Sequence, residues 1–165
     1  EVFEKVGLLD EKVGRVEDNE LHYRIRKNGY KIRYSNNIVS YQYTRPTIKR
    51  MLKQKYSNGY WIGKVSHVYP KAFSIFHFVP LFFVLAIIFS LLMIPFTKLF
   101  IALLSSLYLI FTLMIMLMTI INNKFNITLL LMPILLFLIH VYYGLGTLVG
   151  LVKGFSWKKT YHTNK

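Results

Sequence analysis

The chain has no cysteine, which excludes a disulfide framework and a thiolate metal site. It holds only 5 prolines in 165 residues, and no Ser-rich stretch or fixed-period repeat marks a linker or a solenoid. No HExxH, GxSxG or P-loop pattern is present, so those chemistries have no support. Acids are scarce, with 7 Asp or Glu against 21 Lys or Arg and a formal charge of +14. All of these acids lie in residues 1–20, beside three bases, whereas residues 21–71 carry twelve Lys or Arg and no acid. The chain opens at Glu1 without an initiator Met or a signal peptide. It reads as the C-terminal part of a longer protein.

What the chain has in quantity is apolar surface. Apolar and aromatic residues make up 54% of it and mean hydropathy is +0.39. High charge and high hydropathy rarely share one soluble domain, so they should occupy different segments. Phe78–Ile94, Leu99–Ile121 and Ile127–Val152 are runs without Asp, Glu, Lys or Arg. Crossing about 30 Å of hydrocarbon takes about 20 apolar residues as a helix, and backbone groups in lipid must be satisfied internally. About three transmembrane helices are therefore expected over 73–95, 99–121 and 127–152. Their connections, Pro95–Lys98 and Asn122–Asn126, are short, which predicts antiparallel neighbours.

The basic residues before Phe78 belong on the cytoplasmic side. Three crossings then put the tail, 153–165, outside. That tail carries Lys153, Lys158, Lys159 and Lys165, which prefer the inside. Either one apolar run is not a full span or the tail is an exception. Within the third run, Gly146 and Gly150 form a small-xxx-small spacing, with Gly144 beside it, that lets helices approach closely. His140 lies in the same run and reads as a neutral imidazole bonded to a neighbouring helix, with a functional role as the alternative.

The segment before the spans divides in two. Over 18–28, acids lead and bases follow, Leu21 and Ile25 are four apart, and Gly29 is a stop. This predicts a short helix with Asp18 at or near its N-cap. Tyr30, Ile32 and Tyr34 alternate with Lys31 and Arg33, and Val39, Tyr41 and Tyr43 alternate with Ser40 and Gln42. Two short strands joined by a turn at Ser35-Asn36-Asn37 are expected. From Pro46, a first helical residue, the period changes. Ile48, Met51, Leu52, Tyr56 and Tyr60 fall on one face, away from Lys49, Arg50, Lys53 and Gln54. Residues 46–72 read as basic amphipathic helices at the headgroups, with Lys49, Arg50 and Lys53 as the membrane-surface residues. The fold class is thus an α-helical membrane region preceded by a partial α/β segment of one helix, two strands and an interfacial helix. Membrane lipids are expected partners, and nucleic acid is not.

Three stretches together resemble the membrane-bound branch of the family 2 glycosyltransferases, of the succinoglycan type. They are Val2-Phe3-Glu4-Lys5-Val6-Gly7-Leu8-Leu9-Asp10-Glu11, then Glu17-Asp18-Asn19-Glu20-Leu21 through Gly29-Tyr30-Lys31-Ile32, then Arg45, Gln54, Tyr56, Gly59, Tyr60 and Trp61. The resemblance covers roughly residues 1–65 and implies that residues 1–45 end a GT-A catalytic domain. It implies Asp18 as the general base of an inverting transfer, with Glu17 its neighbour. It implies that Asp10, Glu11, Gln54 and Trp61 lie by the acceptor. Processive relatives carry an Arg before that Trp, absent here, and many GT-A enzymes carry a His ligand after the second strand, where this chain reads Tyr41-Gln42-Tyr43.

The implied activity is transfer from a nucleotide-sugar donor to a lipid-linked or polysaccharide acceptor at the cytoplasmic face of the cell membrane. A divalent metal, Mg or Mn, would be held by a DxD upstream of this chain, which itself is expected to need no cofactor and to be inactive alone. Two alternatives are transfer to polyprenyl phosphate and a non-catalytic membrane protein whose basic segment binds anionic lipid or a partner.

Overall fold

The computed structural model describes residues 1–122 and 126–163. Its α-helices are α1 (Val2–Val6), α2 (Glu17–Lys27), α3 (Ile48–Val65), α4 (Val79–Met93), α5 (Leu99–Asn122) and α6 (Met132–Thr163). Short 3-10 turns at Pro70–Ala72, Ile75–Phe78 and Ile127–Leu131 lead into α4 and α6. Among the described residues there is no strand, so the expected α/β segment, and with it the GT-A architecture over 1–45, is not formed. The turn does form, with Ile38 N–H donating to the Ser35 carbonyl at 3.3 Å, but its flanks form no strand ladder. The physical reason is that neither face has a core to bury: Tyr34, Tyr41 and Tyr43 are 91%, 94% and 96% exposed. A two-stranded hairpin without a third strand or a packed face is marginal at best.

The helix expected at 18–28 is α2, and its end is as read. Gly29 takes φ 82°, Gly29 N–H reaches the Arg26 carbonyl and Tyr30 N–H the Ile25 carbonyl, at 3.1 and 3.2 Å, a Schellman stop. Its start differs, because the N-cap is Val16 at φ 62° and Asp18 is the second helical residue. Likewise α3 is capped by Thr47, whose hydroxyl accepts from Arg50 N–H at 3.3 Å, so Pro46 precedes the helix rather than beginning it.

Three helical stretches, Ile75–Met93, Leu99–Asn122 and Ile127–Tyr161, are long and apolar enough to cross a membrane. Their apolar side chains remain largely exposed, which is untenable in water and natural in lipid. The link 123–125 and Lys165 lie outside the described residues. Instead of ending near Val152, α6 runs for 32 residues, about 48 Å at 1.5 Å per residue, so Lys153, Lys158 and Lys159 ride on its projecting end rather than on a separate tail.

Glycines set the main packing. Tyr56 and Tyr60 lay their backbone on Gly146 and Gly150, while Gly59 and Gly63 lie against the backbone of Tyr143, Thr147 and Leu151. A Cβ at any of these glycines would overlap a carbonyl oxygen of the other helix. Further along, His67 Nε2 donates to the Leu151 carbonyl at 2.8 Å. The paired positions advance together, so α3 and α6 run the same way in direct backbone contact. The buried face of α3 is therefore Leu52, Gly59, Ile62, Gly63 and Val65. It is rotated from the expected Ile48–Tyr60 face, and Tyr56 is 36% exposed.

A neighbouring face of α6 takes α4. Gly144 faces the Pro80 carbonyl and Val84, and Phe83 meets Phe137 and His140 at ring distances of 6.0 and 5.8 Å. Here α4 descends as α6 ascends, so these two helices are antiparallel. Three straight crossings would have made them run the same way. α5 touches the pair mainly through Phe100 on Phe89 and through Tyr108 and Phe111 around His140. His140 itself donates from Nδ1 to the Leu136 carbonyl of its own helix at 2.8 Å, not to a neighbouring helix as expected.

Two outcomes follow from this packing. In sealed vesicles, single cysteines introduced at Ser40 and Lys158 should react with an impermeant maleimide from the same side, and labelling from opposite sides would exclude the antiparallel α4–α6 arrangement. Gly63→Ala and Gly150→Ala should each destabilise the solubilised protein by about 1–3 kcal/mol through overpacking, although alanine favours an isolated helix. Thermal unfolding reads this, and an unchanged or raised midpoint would contradict the backbone contact.

Candidate functional site

The first 25 residues fold onto α3 and α6 rather than into a sheet. Val13 is buried with Ile62, Val65, Ala72 and Phe73, and Val16, Trp61, Tyr69 and Trp157 close over them. Gly14 lies flat on the Trp61 indole, where a side chain would collide with the ring. Arg15 Nη1 donates to Asn58 Oδ1 of α3 at 2.9 Å. These contacts fix the loop that turns at Val16 into α2.

Behind that loop a buried ion pair sets the rest. Glu20 is fully buried and accepts from Arg24 Nε at 2.5 Å and Nη2 at 2.8 Å. The same guanidinium donates to the carbonyls of Val6 and Leu8, so it ties α1 and the following loop to α2. The bond to Glu20 raises the Arg24 pKa above its ordinary value, against the opposing effect of burial.

Glu17 and Asp18 open α2 on the wall of a polar cavity of about 520 Å³, with Gly14, Arg15, Asn19, Gln42 and Asn58 around it. Asp18 is exposed, and its Oδ1 accepts from Asn19 N–H at 2.9 Å and Asn19 Nδ2 at 3.2 Å. Of the residues expected by the acceptor, only Trp61 is brought to this loop, through Gly14. Gln54 lies one turn of α3 before Asn58 and accepts from Arg45 Nε at 3.0 Å, outside the cavity lining. Glu11 is exposed in the turn 11–12.

Asp10 belongs to a second cavity, of about 370 Å³, with Val6, Leu8, Lys12, Arg24, Tyr69 and Tyr161. It accepts from the Tyr161 hydroxyl of α6 and from Lys12 N–H. Tyr161 in turn meets the Tyr69 hydroxyl at 2.7 Å, and burial raises the Tyr69 pKa above its ordinary value. Asp10 therefore fastens the loop to α6 and stands apart from Asp18.

Lys49, Arg50 and Lys53 are exposed on the first turns of α3, off its buried face as expected. Between α4, α5 and α6 lies an apolar cavity of about 580 Å³, lined by Phe83, Ile87, Tyr108 and Phe137 among others. The divalent metal implied by the resemblance was assigned to residues upstream, and among the described residues no three of His, Asp and Glu converge.

Sequence reading missed Asn58, Arg15 and Glu20. Gly59-x-x-x-Gly63 was the available signal for the first two, since it fixes which face of α3 the loop must meet. The spacing Glu20 to Arg24, four residues apart, signalled the third. No family model matches the chain, and neither a curated protein nor a solved structure matches it.

Glu20→Gln or Arg24→Ala should destabilise the N-terminal segment by about 3–5 kcal/mol, because each strands the partner of a buried pair. Limited proteolysis within residues 1–30 reads this, with α4 to α6 still protected. Wild-type resistance in both variants would show that the clamp contributes little.

Proposed function

We propose that this chain is the acceptor-side part of a membrane-bound inverting glycosyltransferase. In this reading it passes sugar from a nucleotide donor to a lipid-linked or polysaccharide acceptor at the cytoplasmic face of a multi-pass anchor. The observation that carries it is the exposed Asp18 carboxylate, in the first turn of α2, on a polar cavity fastened through α3 to a membrane helix. The proposal rests on the helices α1 to α3 and not on a sheet.

Asp18 would accept the proton of the acceptor hydroxyl as that oxygen bonds to the anomeric carbon. The bond from that carbon to the nucleoside diphosphate breaks on the opposite face, and the configuration inverts. A positioned general base contributes about 10²–10⁴-fold. Glu17 and Asn58 offer hydrogen bonds to the acceptor sugar from the same wall. Asn19 donates to Asp18 and fixes its orientation. The excess of Lys and Arg on α3 and on the end of α6 supports the cytoplasmic assignment, since cytoplasmic flanks of spans carry such an excess.

A second reading, a non-catalytic membrane protein whose basic segment binds anionic lipid, draws on the exposed Lys49, Arg50 and Lys53. One experiment separates the two. Membranes carrying the whole protein are given labelled nucleotide sugars, and product on extracted lipid and polysaccharide is counted. Asp18→Asn should lower transfer by about 10²–10⁴-fold, with the amount inserted unchanged. Full activity in Asp18→Asn would remove this residue from the chemistry, and no transfer by the unaltered protein with any donor would favour the second reading.

A further inference from the structure

Two lysines from different helices share a cavity at the α3–α6 contact. Lys64, in the last turn of α3, and Lys153 of α6 line a hollow of about 270 Å³ with Tyr60, Ser156, Trp157 and Thr160. The Lys64 ammonium stands 4.5 Å from the Trp61 ring centroid, 5.0 Å from Trp157 and 5.5 Å from Tyr60. Burial, and then the charge of Lys153, lower its pKa below the ordinary value. No carboxylate pairs with either lysine among the described residues, and every Asp and Glu of the chain lies within residues 1–20. Two like charges thus face one hollow with no carboxylate paired to either among the described residues.

We propose that this hollow binds a phosphate group, with its oxygens bridging the ammonium groups of Lys64 and Lys153 beside Tyr60 and Trp157. A phosphate offers several acceptor oxygens, and charge-assisted bonds to ammonium groups are roughly twice as strong as neutral ones. The Ser156 and Thr160 hydroxyls already donate to the carbonyls of Lys153 and Trp157, at 3.1 and 2.9 Å, so the two lysines carry the recognition. A quaternary ammonium is disfavoured, because Lys64 already occupies the aromatic faces such a ligand would need. The hollow lies just past Val152, where the third apolar run ends. Tryptophan and tyrosine collect at that level in membranes, beside the headgroups. The phosphate can come from an anionic phospholipid or from solution. This site stands independently of the sugar-transfer reading.

Of the two tryptophans of the chain, Trp157 lines the site and Trp61 lies against Lys64, so intrinsic fluorescence reports it. The purified protein in neutral detergent is titrated with phosphatidylglycerol, with phosphatidylcholine and with inorganic phosphate. A saturable change with phosphatidylglycerol and not with phosphatidylcholine is expected. Lys64→Gln/Lys153→Gln should weaken it about tenfold or more, since each lysine near a headgroup contributes about 1 kcal/mol. Lys153→Gln alone, at an exposed position, should weaken it several-fold without disturbing the fold. Lys31→Gln/Arg33→Gln removes the same charge from an exposed segment and should leave the response within about twofold. A saturable response to inorganic phosphate that the Lys64/Lys153 double variant loses also supports the site and assigns its source to solution. The proposal is overturned by no saturable response to phosphatidylglycerol or phosphate, by an equal response to phosphatidylcholine, or by equal weakening in both double variants.

Discussion

The backbone contact between α3 and α6 governs the rest of the molecule. Four glycines, two on each helix, remove the side chains that would hold the helices apart. Dispersion and close packing then act between main chains, as they do where small residues join helices in lipid. A basic, hydrogen-bond-rich helix is thereby fastened to one that continues a membrane span. The loop of Val13 to Val16 stands on the side of α3 that this contact leaves open. α2 stands on that loop. The orientation of Asp18 relative to the membrane is thus inherited from Gly59, Gly63, Gly146 and Gly150.

Charge follows the same construction. With so few acids, the chain places one of them, Glu20, fully out of water and gives it a guanidinium that also serves two carbonyls. Such a pair contributes little net stability against a hydrophobic replacement but is costly to break. Its effect is to specify where α1 and its loop sit. Asp10, bonded to Tyr161, closes the same loop from the far side. Glu17 and Asp18 are the acids of the α2 opening left facing a polar cavity, and that separation of roles is what gives the pair chemical interest.

Much of this was legible in the sequence, and the rest was not for definite reasons. The three apolar stretches, the end of α2 at Gly29 and the exposed Lys49, Arg50 and Lys53 follow from composition and turn chemistry, which act locally. The strands at 30–34 and 39–43 did not form because alternation marks only a capacity for pairing. Pairing needs a partner and a buried face, and both are long-range. The face of α3 was misjudged because large apolar residues were counted as the contact, whereas the contact is made by residues without side chains. Asp18 is expected at or near the cap because Asp is a strong cap; it lies two residues inside, since Val16 turns the chain earlier, with Trp61 packed on neighbouring Gly14. Of the site, Trp61 and the Glu17–Asp18 pair were legible, and Asn58, Arg15 and the Glu20 clamp depended on which face met the loop.

The antiparallel relation of α4 and α6 also removes a conflict in the charge pattern. Three crossings would have separated the lysines of α6 from those of α3, against the preference of both for one side. With Gly144 against Pro80 and His67 against Leu151, Lys64 at the end of α3 and the lysines of α6 lie on the same side of the start of α4. Trp61 then stands between two sites on that side. Gly14 and the carboxylate loop lie against its ring, and Lys64 and Trp157 lie against it as well. Because Gly14 has no side chain, the indole bears on the backbone of the loop directly.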